Sequence, residues 1–288
     1  MSKSAILSSS IAKKYWMALT GLFLCLFLVG HLLGNLQLLG APGEETKRAF
    51  NEYAYFMGHN IFIKVLSYLT YISILFHAID GIMLTVQNKK ARPQGYAYNR
   101  PNANSSWTSR YMAVLGTLIL VFIVLHMSHF WYKMKVTGDI PLHKKELVLP
   151  ANPMMGGAEQ KMGLYLTTTG NYIPVDQVDV KNKTDLYAKG VDLKMGEGYK
   201  DLYTVVMNFF GKSNPGEPIN DMAMVAVIIY VLSMFVLMFH LWHGFKSAFQ
   251  SLGINHRRYN KIIEVVGKSF AVIVPLAFAI IPVMIFLS

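Results

Sequence analysis

Charge is scarce in this chain. Only 15% of its 288 residues are Asp, Glu, Lys or Arg, against about 25% in an ordinary soluble domain. Cysteine is almost missing: the single Cys25 cannot form an internal disulfide and says nothing about redox compartment. Acidic residues are the scarcer sign, 16 against 27 basic. No nucleotide-binding or metal-cluster motif occurs in the polar segments. A soluble single-domain enzyme and a disulfide-stapled scaffold are therefore poor descriptions.

Apolar residues make up 53% of the chain, and mean hydropathy is +0.35. They gather in five runs, Tyr15–Leu39, Asn60–Val86, Arg110–Tyr132, Met222–Phe245 and Ile262–Leu287, each long enough to cross a bilayer with about 20 residues. Lys13 and Lys14 ahead of the first run also suit a signal peptide. That run is longer than a signal's apolar region and no small-residue cleavage pattern closes it, so a retained helix is expected. The expected fold is an all-α membrane protein with five spans forming one domain over 1–288. A long loop between spans three and four, 133–221, forms an insertion.

Basic charge is lopsided. With the N-terminus inside, the inner segments hold Lys3, Lys13, Lys14, Lys89, Lys90, Arg92, Arg100, Arg110, Lys246, Arg257, Arg258, Lys261 and Lys268, against Asp80 and Glu264. The inner side nets 13 − 2 = +11, and the outer side balances at 14 basic and 14 acidic residues. The positive-inside rule predicts this orientation. Anionic lipid accounts for the same charge, and no independent basic domain points to nucleic acid.

The connections differ in character. Gly40–His59 reads as a short outer loop, and Gln87–Ser109, with Pro93, Gly95 and Pro101, as irregular. The insertion is mixed in charge, with β-like runs such as Tyr165–Thr169. Asp201–Phe210 has an apolar face at helical spacing suited to a membrane surface.

Four histidines lie deep in four of the apolar runs: His31, His77, His126 and His240. A helix rises about 1.5 Å per residue, so following the chain back and forth places His31 and His126 at an outer level. His77 and His240 fall at an inner level about 15–20 Å away. Two neutral imidazoles from facing helices suit the two axial positions of a haem iron, and helix-bundle interiors commonly house such groups. The expected cofactors are thus two b haems, one on His31 and His126, the other on His77 and His240.

Two ligand choices stay open. His129 follows His126 by one turn and His243 follows His240; depth favours His126 and His240, leaving His243 for a haem propionate or the interface. Gly30, Gly34, Gly81 and Gly244 lie near the histidines and either clear room for a ring or let helices pack closely. Asp80 reaches a neighbouring imidazole, a propionate or the interface; Lys64 snorkels. His59, His143 and His256 read as solvated, and Glu52 as an exposed loop acid or a proton-handling group.

The motifs GHLLGN at His31, FHAIDG at His77, IVLHMSHFW at His126 and FHLWHGFKSAFQSLG at His240 carry a resemblance. With SSSIAKKYWMALTGL at the start and DLYTVV before span four, the chain resembles the dihaem cytochrome b membrane subunit of bacterial succinate:quinone oxidoreductases, the succinate dehydrogenase and fumarate reductase family of the respiratory chain and tricarboxylic acid cycle. The resemblance implies a multi-pass subunit of the bacterial cytoplasmic membrane with its N-terminus in the cytoplasm. It is a non-catalytic electron-transfer subunit: a flavoprotein with FAD handles succinate or fumarate, and an iron–sulfur subunit relays electrons to the inner haem. The family's axial ligands fall on His31, His77, His126 and His240, and the further reactant is a quinone, menaquinone by the same resemblance. Reaction direction, quinone position and oligomeric state stay open. The insertion, about Lys144–Gly198, departs from the family pattern and puts any carried-over outer quinone site in doubt. Competing readings are a cytochrome b of a formate dehydrogenase or hydrogenase and, in another class, a proton channel or transporter using buried histidines.

Overall fold

The computed structural model describes residues 9–91, 94, 103, 105–150, 159–211 and 220–288. Lys3, Arg92, Pro93, Gly95, Arg100 and Pro101, which entered the reading of the inner segments, lie outside them, as do residues 151–158 of the insertion.

The protein is mostly helical, and five helices are long and apolar enough to cross a membrane: Ile11–Leu39, Ile61–Lys90, Met112–Thr137, Ala223–Ser251 and Arg257–Leu287. It has the character of a multi-pass membrane protein. Large apolar side chains cover the outside of these helices, among them Leu26, Phe62, Leu75, Val121, Leu232 and Ile273. Such continuous exposure would aggregate a soluble protein and suits lipid.

The helices are α1 (Ser10–Leu36), α2 (Glu44–His59), α3 (Ile61–Lys90), α4 (Met112–His126), α5 (Leu202–Phe209), α6 (Ala223–Ser251) and α7 (Arg257–Leu287). Helix α4 continues through wider π turns at Met127–Trp131 and Lys133–Thr137. Contacts run α1 to α3, α3 to α4, α4 to α6 and α6 back to α1, closing a four-helix ring, with α7 packed on α6 and α1. In that ring α1 faces α4 across one diagonal, and α3 faces α6 across the other.

The expected loop Gly40–His59 is instead largely helix α2. Glu44 and Glu45 sit in its first turn, complementing the positive end of the helix dipole. Asn60 then breaks the chain direction and caps α3, its side chain accepting from the backbone N–H of Phe62 and Ile63. Glu52 is accordingly a helical residue, paired with Arg48 at 2.7 Å.

The insertion folds as two antiparallel three-stranded sheets. One orders β1 (Lys144–Leu149), β2 (Gln160–Leu166) and β3 (Tyr172–Pro174); the other orders β4 (Val178–Lys181), β5 (Asp185–Ala188) and β6 (Lys194–Glu197). Leu142, Tyr165, Val178 and Leu186 form their shared core. Helix α5 matches the helical reading of Asp201–Phe210, but it is not a free amphipathic surface helix. Tyr203, Val206 and Phe210 are buried with Leu32, Phe50, Val227, Tyr230 and Ile281 from four other helices.

A buried polar network ties the insertion to α2. Asn51, His143 and Asp201 are 1%, 0% and 3% exposed, so His143 is not the solvated loop residue expected. The backbone N–H of Tyr203 donates to Asn51 Oδ1 at 2.9 Å, which orients the amide. Asn51 Nδ2 then donates to Asp201 Oδ1 (2.9 Å) and His143 Nδ1 (3.0 Å). His143 therefore keeps its proton on Nε2, which donates to Glu44 Oε1 at 2.7 Å. Lys47 completes the network on Asp201 Oδ2 at 2.8 Å. His59 and His256 are exposed, the latter accepting from the N–H of Arg258 at the start of α7.

Candidate functional site: two imidazole pairs across the bundle

The structure brings the four deep histidines together two by two. His31 of α1 and His126 of α4 have ring centroids 5.8 Å apart at 82°. His77 of α3 and His240 of α6 have centroids 6.2 Å apart at 67°. Each pair spans one diagonal of the ring, and each helix of the ring contributes one imidazole.

The levels follow from what each ring touches. A Cβ placed on Gly21 of α1 would lie 3.1 Å from His77 Cε1, and one on Gly116 of α4 would lie 3.6 Å from His240 Cε1. His31 and His126 each lie ten residues further along those same helices. Ten residues of α-helix is about 15 Å, and both helices return the same separation.

These two glycines lie on helices facing the histidines, where spacing along a histidine's own helix does not point. Gly34 instead faces Tyr53, Gly81 faces Met17 and Gly244 faces Met112; Gly30 has nothing within 4 Å. The usable signal was a glycine ten residues before a deep histidine in both α1 and α4, at the level of the other pair.

The neighbouring histidines differ in what they contact. His126 is the ring facing His31, while His129 lies in the π turn, with Nδ1 3.1 Å from the Tyr230 hydroxyl and its ring 4.6 Å from that of Phe209. A π turn holds more residues than an α turn, so faces judged from α spacing do not carry through it. His240 is the ring facing His77; His243, one turn on, is partly buried. Asp80 is partly buried and interacts electrostatically with Lys13 and His77.

The donors fit a haem. A metal–imidazole bond is about 2.0–2.1 Å with the ring centroid about 1.1 Å behind its nitrogen, so two imidazoles on one ion place their centroids about 6 Å apart. His126 Nδ1 and His240 Nδ1 are buried with no hydrogen-bond partner. Among the described residues no three His, Cys, Asp or Glu side chains converge. Paired imidazoles suit a group that brings its remaining iron ligands with it, as porphyrin does.

A cavity of about 350 Å³ opens at the sheet end beside the His31–His126 level. His129, Lys133, Thr204, Asn208, Phe209 and Asn220 line it. Tyr230 connects it to the pair, bonding His129 and lying 5.9 Å from the His126 ring, centroid to centroid.

No family model, no curated protein and no solved structure matches the chain.

Proposed function

We propose that this chain is the membrane cytochrome b subunit of a succinate:quinone oxidoreductase. In this reading it carries electrons through two bis-histidine b haems between a cytoplasmic iron–sulfur subunit and a quinone, with a flavoprotein beyond the iron–sulfur subunit. The observation that carries the reading is the diagonal pairing: four imidazoles from four helices meet two by two at levels about 15 Å apart.

A haem held by two imidazoles would supply one-electron transfer. The chain's own contribution is position and dryness. His31 and His126 hold one ring from opposite helices; His77 and His240 hold the other. Phe27, Phe122, Phe130 and Phe278 pack on the His31–His126 pair and exclude water. His243 is the candidate partner for a propionate.

The cavity suits a quinone headgroup in volume and chemistry, since ligand pockets start near 300 Å³. His129, Lys133 and Thr204 offer donors to carbonyl oxygens, and Phe209 offers an apolar ring face. At the opposite end, Lys13, Lys14, Lys89, Lys90, Arg257 and Arg258 form the basic surface that meets lipid and the iron–sulfur subunit. Orientation with that end in the bacterial cytoplasm follows from the positive-inside rule.

A reduced-minus-oxidised spectrum of the purified chain tests the reading, with two b haems per chain expected. A colourless protein overturns it and returns the histidines to proton relay. Co-purification of a covalent-FAD subunit supports the assigned complex; a molybdenum or nickel enzyme in its place reassigns the chain to a formate dehydrogenase or hydrogenase.

A further inference from the structure

We propose that one turn of α1 positions His77, the Met17 carbonyl holding its imidazole in the Nδ1–H tautomer and the Thr20 hydroxyl adding a second acceptor that tunes the redox potential of the haem site made with His240. This inference rests on the haem reading above and adds a residue to it.

The contacts around His77 Nδ1 fix its proton. The Thr20 hydroxyl has a single proton, and its shortest contact is the Trp16 carbonyl at 2.7 Å, with the Met17 carbonyl at 3.2 Å. Donating to a carbonyl leaves the hydroxyl oxygen as an acceptor. That oxygen lies 3.4 Å from His77 Nδ1, and the Met17 carbonyl lies 3.2 Å from the same nitrogen. Both neighbours of Nδ1 are acceptors, so Nδ1 carries the proton and the lone pair sits on Nε2. Gly21, the next residue of α1, admits the ring edge: a Cβ there would sit 3.1 Å from Cε1. One turn of α1 thus holds the Nδ1–Cε1 edge of His77 and leaves Nε2 for metal.

The other three imidazoles lack this arrangement. His126 Nδ1 and His240 Nδ1 have no partner, and His31 Nδ1 faces the amide nitrogen of Asn35, a donor, at 3.4 Å. An acceptor on the distal N–H of a ligating histidine fixes its orientation and raises its basicity. A more basic ligand favours the oxidised metal. The His77–His240 site therefore has one strengthened and one unassisted ligand, and the strengthening passes through the Met17 carbonyl with the Thr20 hydroxyl as the second acceptor.

Thr20→Val keeps the shape and removes the hydroxyl; Thr20→Ser keeps the hydroxyl. Redox titration of the two b haems, with low-spin EPR of each, reads the effect. Thr20→Val is expected to raise the midpoint potential of one haem and shift its g-values while leaving the other unchanged, and Thr20→Ser to restore both. The affected haem is the one that His77→Ala removes. Gly21→Ala, which keeps the hydroxyl but crowds the ring, is expected to weaken binding of that same haem about tenfold. Nitrogen NMR of the haem-free chain should show His77 protonated at Nδ1 in the wild type and also in Thr20→Val, where the Met17 carbonyl remains, with only the Nδ1 proton shift moved. Two haems in the wild type with unchanged potentials in Thr20→Val would overturn the role of Thr20 and leave the haem reading standing; a shift confined to the His31–His126 haem would do the same. A wild-type chain that binds no haem removes both, whatever the NMR shows of the tautomer.

Discussion

The imidazole of His31 on α1 lies 5.8 Å from that of His126 on α4, the planes nearly perpendicular, across a diagonal of the four-helix ring. Helices on a diagonal are separated by the full width of the bundle, so only side chains directed at its axis meet there. The second diagonal carries His77 and His240 in the same relation. This crossing makes the pairs separable by substitution.

Replacing His31 or His126 by alanine is expected to remove one b haem and leave the other spectrum intact, and replacing His77 or His240 to do the converse. Haem content per chain and the low-temperature spectrum of each variant check this. Loss of the same haem from His77→Ala and His126→Ala would contradict the pairing.

His129→Gln is expected to retain both haems, because its ring contacts Tyr230 and Phe209 and not His31. Under the quinone reading, its effect is a raised KM for quinone, with Lys133→Ala moving in the same direction. A haem lost from His129→Gln would shift the ligand assignment to it.

Asn51→Leu is expected to destabilise the insertion's attachment by about 2–3 kcal/mol, because it leaves the Tyr203 N–H, His143 Nδ1 and Asp201 short of partners in a buried site. Limited proteolysis and hydrogen exchange over residues 141–201 measure this. Protection equal to wild type would show that the network does not carry the attachment.

Burial, with the charges of Lys135 and Lys183, holds the Lys200 pKa below its ordinary 10.5. Between the lowered value and 10.5 the unfolded state binds more protons than the folded state, so this residue makes stability rise with pH. Wild-type protein should therefore gain stability over that window relative to Lys200→Gln. Thermal unfolding of the two as pH rises towards 10.5 reads the difference; parallel pH dependences would count against it.

The spans were legible because hydropathy and length are local properties, and their observed ends lie within six residues of those expected, the largest difference being at Ser251 of α6. Helix α2 was not, because an amphipathic helix between spans has the composition of a loop until Phe50 and Asn51 find their partners. His143 looked solvated for a similar reason: its burial depends on Glu44 and Asn51, remote in sequence.

Hydropathy along the chain sets which residues enter the long apolar helices, how far along each helix a histidine sits, and so which histidines share a level. Those are consequences of hydropathy and of a fixed rise per residue. Tertiary structure alone decided that α1 opposes α4 and α3 opposes α6, that the π turn directs His129 to Tyr230, and that a turn of α1 holds His77. Each depends on how helices pack side by side, and helical rise sets depth without setting which neighbour a side chain meets.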